Sequence, residues 1–114
     1  LIGENTARRV ENSFRLREID MVRAKGKEAP VRIYELLARA GTSLPAEREE
    51  ADEMYMSGLA DYRRQAWEKA LKHFNRAMSV WPDAAAETMA KRCHAYLHSP
   101  PEEGWDGVFE QISK

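Results

Sequence analysis

Hydrophobic and polar positions follow two different periods along this chain, and the change between them divides it. From residue 14 the pattern is strand-like: Phe14 and Leu16 share a face by alternation. Ile19 and Val22 fall out of phase with them, which predicts a bulge or bend near 18–20. Gly26 allows a positive φ at a turn, and Pro30 holds Ala29 extended as a second strand opens. In that strand Val31, Ile33 and Glu35 point one way, and Arg32, Tyr34 and Leu36 the other. A β-hairpin is therefore predicted, its turn carrying Lys25-Gly26-Lys27. Before it, 1–13 reads as a strand end entering a short helix over about 6–10, broken at Asn12-Ser13.

Beyond Ala40-Gly41-Thr42-Ser43 the period becomes helical. Thr42 or Ser43 is expected to cap the first helix, Pro45 is tolerated in its first turn, and Glu47, Glu49 and Glu50 favour its positive end. Its inward positions are Ala51, Met54, Tyr55, Gly58, Leu59 and Tyr62. A polar turn at 63–65 leads to a second series, Trp67, Ala70, Leu71, Phe74, Ala77, Met78 and Trp81. Pro82 ends that helix, and Asp83 can cap a third over about 84–97, with Met89, Cys93, Tyr96 and Leu97 inward. Pro100-Pro101 stops it. The fold class expected is α+β, a hairpin followed by three helices.

Composition narrows the function classes. The 114 residues suit a single domain, and 43% hydrophobic with 32% charged residues suits a globular chain. Lys and Arg number 18 against 19 Asp and Glu, so no basic excess draws nucleic acid or an anionic membrane. One cysteine, Cys93, excludes an internal disulfide framework and suits a reducing compartment. No apolar run approaches the ~20 residues of a membrane span, and no signal peptide opens the chain. Leucine stands first, so a fragment, a processed product or an excised piece is expected.

The helical pair resembles a tetratricopeptide repeat over about 51–84. Gly58, Trp67, Ala70, Phe74, Ala77 and Pro82 stand at the spacing of that 34-residue unit, small residues allowing close approach and aromatics filling the space beside them. Ser57 and Asp61 depart from the usual leucine and tyrosine, with Tyr62 adjacent to the latter. Only one full unit is present, and about three are usually needed for stability.

The first 38 residues resemble the C-terminal end of class III adenylate and guanylate cyclase domains. The segment LIGENTARRV (serine is usual where Gly3 stands) precedes REIDMVRAKGKEAPVRIYEL, whose V-x-x-K-G-K-x-x-P-V-x-I-Y-E-L pattern matches at many fixed positions. Bacterial sensor cyclases of this type often continue into a tetratricopeptide-like region and end on a segment similar to Pro100–Val108, so the resemblance covers essentially the whole chain. It implies four stretches: 1–38 as the end of the catalytic domain, 39–44 as a linker, 45–98 as the tetratricopeptide-like region, and 99–114 as a docked tail.

The resemblance further implies conversion of ATP, or GTP, to a 3',5'-cyclic monophosphate and pyrophosphate, with two Mg or Mn ions held by two aspartates in the parent enzyme. None of those catalytic or metal-binding residues lies in this chain, which is expected to be inactive alone. Lys25 matches the family's lysine that approaches the triphosphate, and Lys27 is the second candidate. The implied parent is a homodimer through its cyclase domain, anchored in the bacterial inner membrane, with this stretch cytoplasmic and making no membrane or nucleic-acid contact. A protein partner of the helical region is the alternative from another class, a non-catalytic interaction module.

Other clusters read more plainly. His94 and His98 lie one helical turn apart, but Ala95-Tyr96-Leu97 between them lacks the glutamate of a zinc-protease helix, and Cys93 sits on the apolar face. The run Glu47, Glu49, Glu50, Asp52, Glu53 lacks the spacing of a calcium loop and suits a helix start. Trp105, Val108 and Phe109 are expected to dock on the helices.

Overall fold

The computed structural model describes residues 1–23 and 29–110. Its class is α+β: a four-stranded sheet and four helices. Backbone proximity divides the chain into two units, Leu1–Ser43 with Val108–Lys114, and Leu44–Gly107.

In the first unit, β1 (Ile2–Gly3) runs into α1 (Glu4–Val10), and Phe14–Arg23 and Val31–Arg39 form β2 and β3. A final two-residue strand, β4 (Phe109–Glu110), completes the order β1-β3-β2-β4. β2 and β3 pair antiparallel from Phe14↔Arg39 to Val22↔Val31. The register shifts between Glu18 and Asp20, leaving Ile19 as the extra residue, so the predicted bulge is present. A second shift lies between Arg15 and Leu16, where Leu37 is the extra residue of β3. Two shifts in one ladder break the simple alternation: Arg17, Ile19 and Asp20 are all buried.

Gly41, at φ +84, turns the chain after β3, and the Thr42 amide donates to the Arg39 carbonyl at 3.1 Å. Thr42 therefore closes this turn instead of capping a helix. Phe109, expected on the helices, instead pairs with β2 in a parallel ladder, Val22↔Phe109 and Arg23↔Glu110.

The second unit holds α2 (Ala46–Arg63), α3 (Trp67–Val80) and α4 (Ala84–His98). α2 starts one residue after Pro45, which occupies the cap position with no side-chain cap. The Glu49 amide donates to the Pro45 carbonyl at 3.1 Å, so the helix begins where proline lacks an N–H to offer. α2 ends through Gln65, held at φ +64, with the Ala66 amide reaching the Asp61 carbonyl at 2.9 Å. Asp83 caps α4 as expected, its Oδ1 accepting from the Ala85 amide at 3.0 Å.

The core of this unit is made by the inward series. Tyr55, Leu59, Tyr62, Ala70, Phe74, Ala77, Met89 and Cys93 are at most 1% exposed. Gly58 is the point of closest approach: a Cβ built there would lie 2.8 Å from Phe74 Cε1, so only glycine fits without movement. Tyr55 packs against Phe74 with the rings tilted and their centroids 5.2 Å apart. Leu97 is 40% exposed, contrary to its expected inward position, because the last turn of α4 rotates it outward while Tyr96 takes the inner side. Trp81, half-buried at the end of α3, lies only at the margin of this core.

Candidate functional site

The two candidate lysines lie in sequence between β2 and β3. Lys25 and Lys27 fall within 24–28, outside the described residues. What is described is the frame on either side: Val22 pairs with Val31, and Arg23 ends β2.

That frame is laced with charge. Arg17, whose side chain is 3% exposed, pairs with Glu35 directly across the ladder. Arg32 donates to Glu18 at 2.6 Å, and this hydrogen bond raises the guanidinium's pKa above its ordinary value, with the Glu18 charge adding to it. Arg23 pairs with Glu110 across the β2–β4 ladder. Asp20 accepts from the Met21 amide at 2.8 Å beside the bulge. The sheet thus pairs its own arginines and glutamates, which fixes register and lowers the cost of burying Arg17. None of these pairs was legible in the sequence, because the two register shifts decide which residue faces which.

β1 adds a second constraint. Ile2 pairs with Tyr34 and Gly3 with Ile33, bringing 1–10 against the strand that follows the turn. Gly3, Glu4, Asn5 and Thr6 border an open hollow with Pro30 and Val31.

In the helical unit the polar feature that sequence reasoning missed is Asp61, read only as a departure at a tyrosine position. It is 5% exposed. Its carboxylate accepts from Arg64 and lies 2.7 Å from His73 Nδ1, tying α2 to α3. A buried carboxylate twelve residues from a histidine on the next helix is invisible to spacing rules, since the connection between the helices sets the contact.

Cys93 is buried, and burial pushes its thiol up to about 11, so it stays protonated at neutral pH. His94 and His98 are exposed, their rings stacked at 5.8 Å. Among the described residues, no three His, Cys, Asp or Glu side chains converge as metal ligands. Trp105 packs against Tyr62, Trp67 and Tyr96 with centroids 5.3, 5.5 and 5.8 Å away, a four-ring cluster closing one end of this unit. Among the described residues no helix is long and apolar enough to cross a membrane.

Comparison of the chain with protein-family models, with curated proteins and with solved structures finds no match.

Proposed function

We propose that the chain is the C-terminal part of a class III nucleotidyl cyclase, contributing the closing hairpin of the catalytic domain and a tetratricopeptide-like helical appendage. One observation carries the reading. The two segments that bear the resemblance, LIGENTARRV and the strand Val31-Arg32-Ile33-Tyr34-Glu35-Leu36, pair through Ile2↔Tyr34 and Gly3↔Ile33, and Val31–Leu36 pairs in turn with β2. Segments some twenty residues apart that match one family also belong to one sheet.

On this reading the parent enzyme converts ATP, or GTP, to the cyclic monophosphate. The ribose 3'-hydroxyl attacks the α-phosphate and pyrophosphate leaves. Lys25 provides a compact positive charge for the triphosphate, with Lys27 behind it. On this reading the parent's two metals are held by two aspartates outside this chain, and no step through a metal is assigned to it. The parent acts as a homodimer through its catalytic domain, with this segment on the cytoplasmic side of the membrane that anchors the parent.

The test is cyclase assay of the parent protein with ATP and GTP in Mg and Mn. Formation of cyclic nucleotide and pyrophosphate, lost on deleting 14–39, is expected. A parent with no such activity contradicts the proposal. The 114-residue chain alone is expected to give no turnover, and turnover by it refutes the assignment of the chemistry to upstream residues.

A second reading, a helical interaction module, is favoured by the helical unit's own closed core around Tyr55, Tyr62 and Phe74. Deleting 45–107 from the parent separates the two: unchanged kinetics with loss of a bound protein supports the module.

A further inference from the structure

Several arginines and one lysine of the described chain meet an acid, Arg8 with Glu4, Arg17 with Glu35, Arg23 with Glu110, Arg32 with Glu18, Arg48 with Asp52, Arg64 with Asp61 and Lys91 with Glu87, and none of these cations is on α3. Lys69, Lys72 and Arg76 are exposed, border one open hollow with His73, and have no ion-pair partner among the described residues. Their spacing of three and four residues sets them on one stripe of the helix, opposite the buried Trp67, Ala70, Phe74 and Ala77. His73, clipped to the buried Asp61, fixes the edge of that stripe.

α2 carries the complement. Glu47, Glu50 and Glu53 are exposed, spaced by three, and likewise have no ion-pair partner among the described residues, while Asp52 of the same turns is taken by Arg48 at 3.1 Å. The helical rise makes the basic stripe about 10 Å long and the acidic one about 9 Å. Two stripes of opposite sign and nearly equal length lie on one small unit, neither with an ion-pair partner among the described residues.

We propose that a second copy of this chain docks there, the acidic stripe of α2 from one copy lying along the basic stripe of α3 from the other. Two-fold pairing uses both stripes of both copies and closes as a dimer, without the open-ended growth of a head-to-tail contact. The contact is electrostatic and exposed, so it is weak and salt-sensitive: each pair lost weakens it about two- to fivefold. It is independent of the cyclase reading and adds a self-association surface to the helical unit.

Sedimentation equilibrium of the full 114-residue chain tests this at about 0.02 M and about 0.5 M salt. A mass rising toward the dimer in low salt and returning to monomer in high salt is expected. The triple variants K69E/K72E/R76E and E47K/E50K/E53K are each expected to associate at least about tenfold more weakly than the unaltered chain, and an equimolar mixture of the two to regain association. All six positions are exposed, and far-UV circular dichroism checks that both variants fold. Should either misfold, the salt series on the unaltered chain still decides. A monomer at low salt overturns the proposal. So does association that survives high salt or charge reversal, as pairing through sheet edges would, or a mixture that stays monomeric.

Discussion

The hairpin unit and the helical unit are held together by different physics. Of the fifteen hydrophobic residues buried among those described, twelve lie in the helical unit and three (Ala7, Ile19 and Val108) in the sheet unit. The helical unit is an apolar core built around aromatic rings and the glycine that lets them approach. The sheet unit buries Arg17 and Asp20 instead and relies on backbone ladders with ion pairs across them. A sheet with so little apolar burial gains little from the hydrophobic effect, at about 25 cal/mol per Å².

The sharpest way to break the comparison is Phe74→Ala. It should cost about 3–5 kcal/mol, measured by amide exchange of the α2 and α3 amides, because the ring fills the space between Gly58 and Tyr55. Amides of β2 and β3 should respond far less.

Cys93 gives the next effect, again confined to the helices. Its folded pKa, about 11, lies above the ordinary 9.0, so the folded state holds its proton more tightly than the unfolded one. Its contribution is fully present below pH 9 and is lost as pH rises to about 11, by about 2–3 kcal/mol. Urea titrations across that window should show the decline, and Cys93→Ala should flatten it.

Arg17→Ala reverses the pattern. It should cost about 2 kcal/mol in the exchange of β2 and β3 amides by removing the cross-strand ion pair with Glu35 and the packing of the buried Arg17 side chain, and leave helical amides unchanged. Gly58→Ala is the smallest, about 1 kcal/mol, since the added Cβ meets a ring that must shift while helix propensity improves.

Much of this architecture was legible in the chain. The phase slip at Ile19 announced the bulge, the i, i+3, i+4 series set out three helices, and Pro82-Asp83 marked a stop and a cap. Short-range signals sufficed there because the contacts are local. β4 was not legible: two residues carry no period, and their partner, Val22-Arg23, lies more than eighty residues earlier. Nor was the start of α2, where Pro45 takes the cap position and Thr42 serves the turn after β3. Of the candidate site, Lys25-Gly26-Lys27 is a pattern in the sequence that lies outside the described residues. The pairs Arg17–Glu35 and Glu18–Arg32 were not legible, since each depends on the register shift between Glu18 and Asp20 that only the folded ladder sets.

The central claim is that this hairpin belongs to a cyclase and offers Lys25 to the nucleotide. The most direct measurement is the steady-state kinetics of the parent enzyme carrying Lys25→Ala, with Lys69→Ala as a control on the helical unit. The account predicts a raised KM for the nucleoside triphosphate in the first and unaltered kinetics in the second. An unchanged KM in Lys25→Ala, in an enzyme otherwise active, contradicts it.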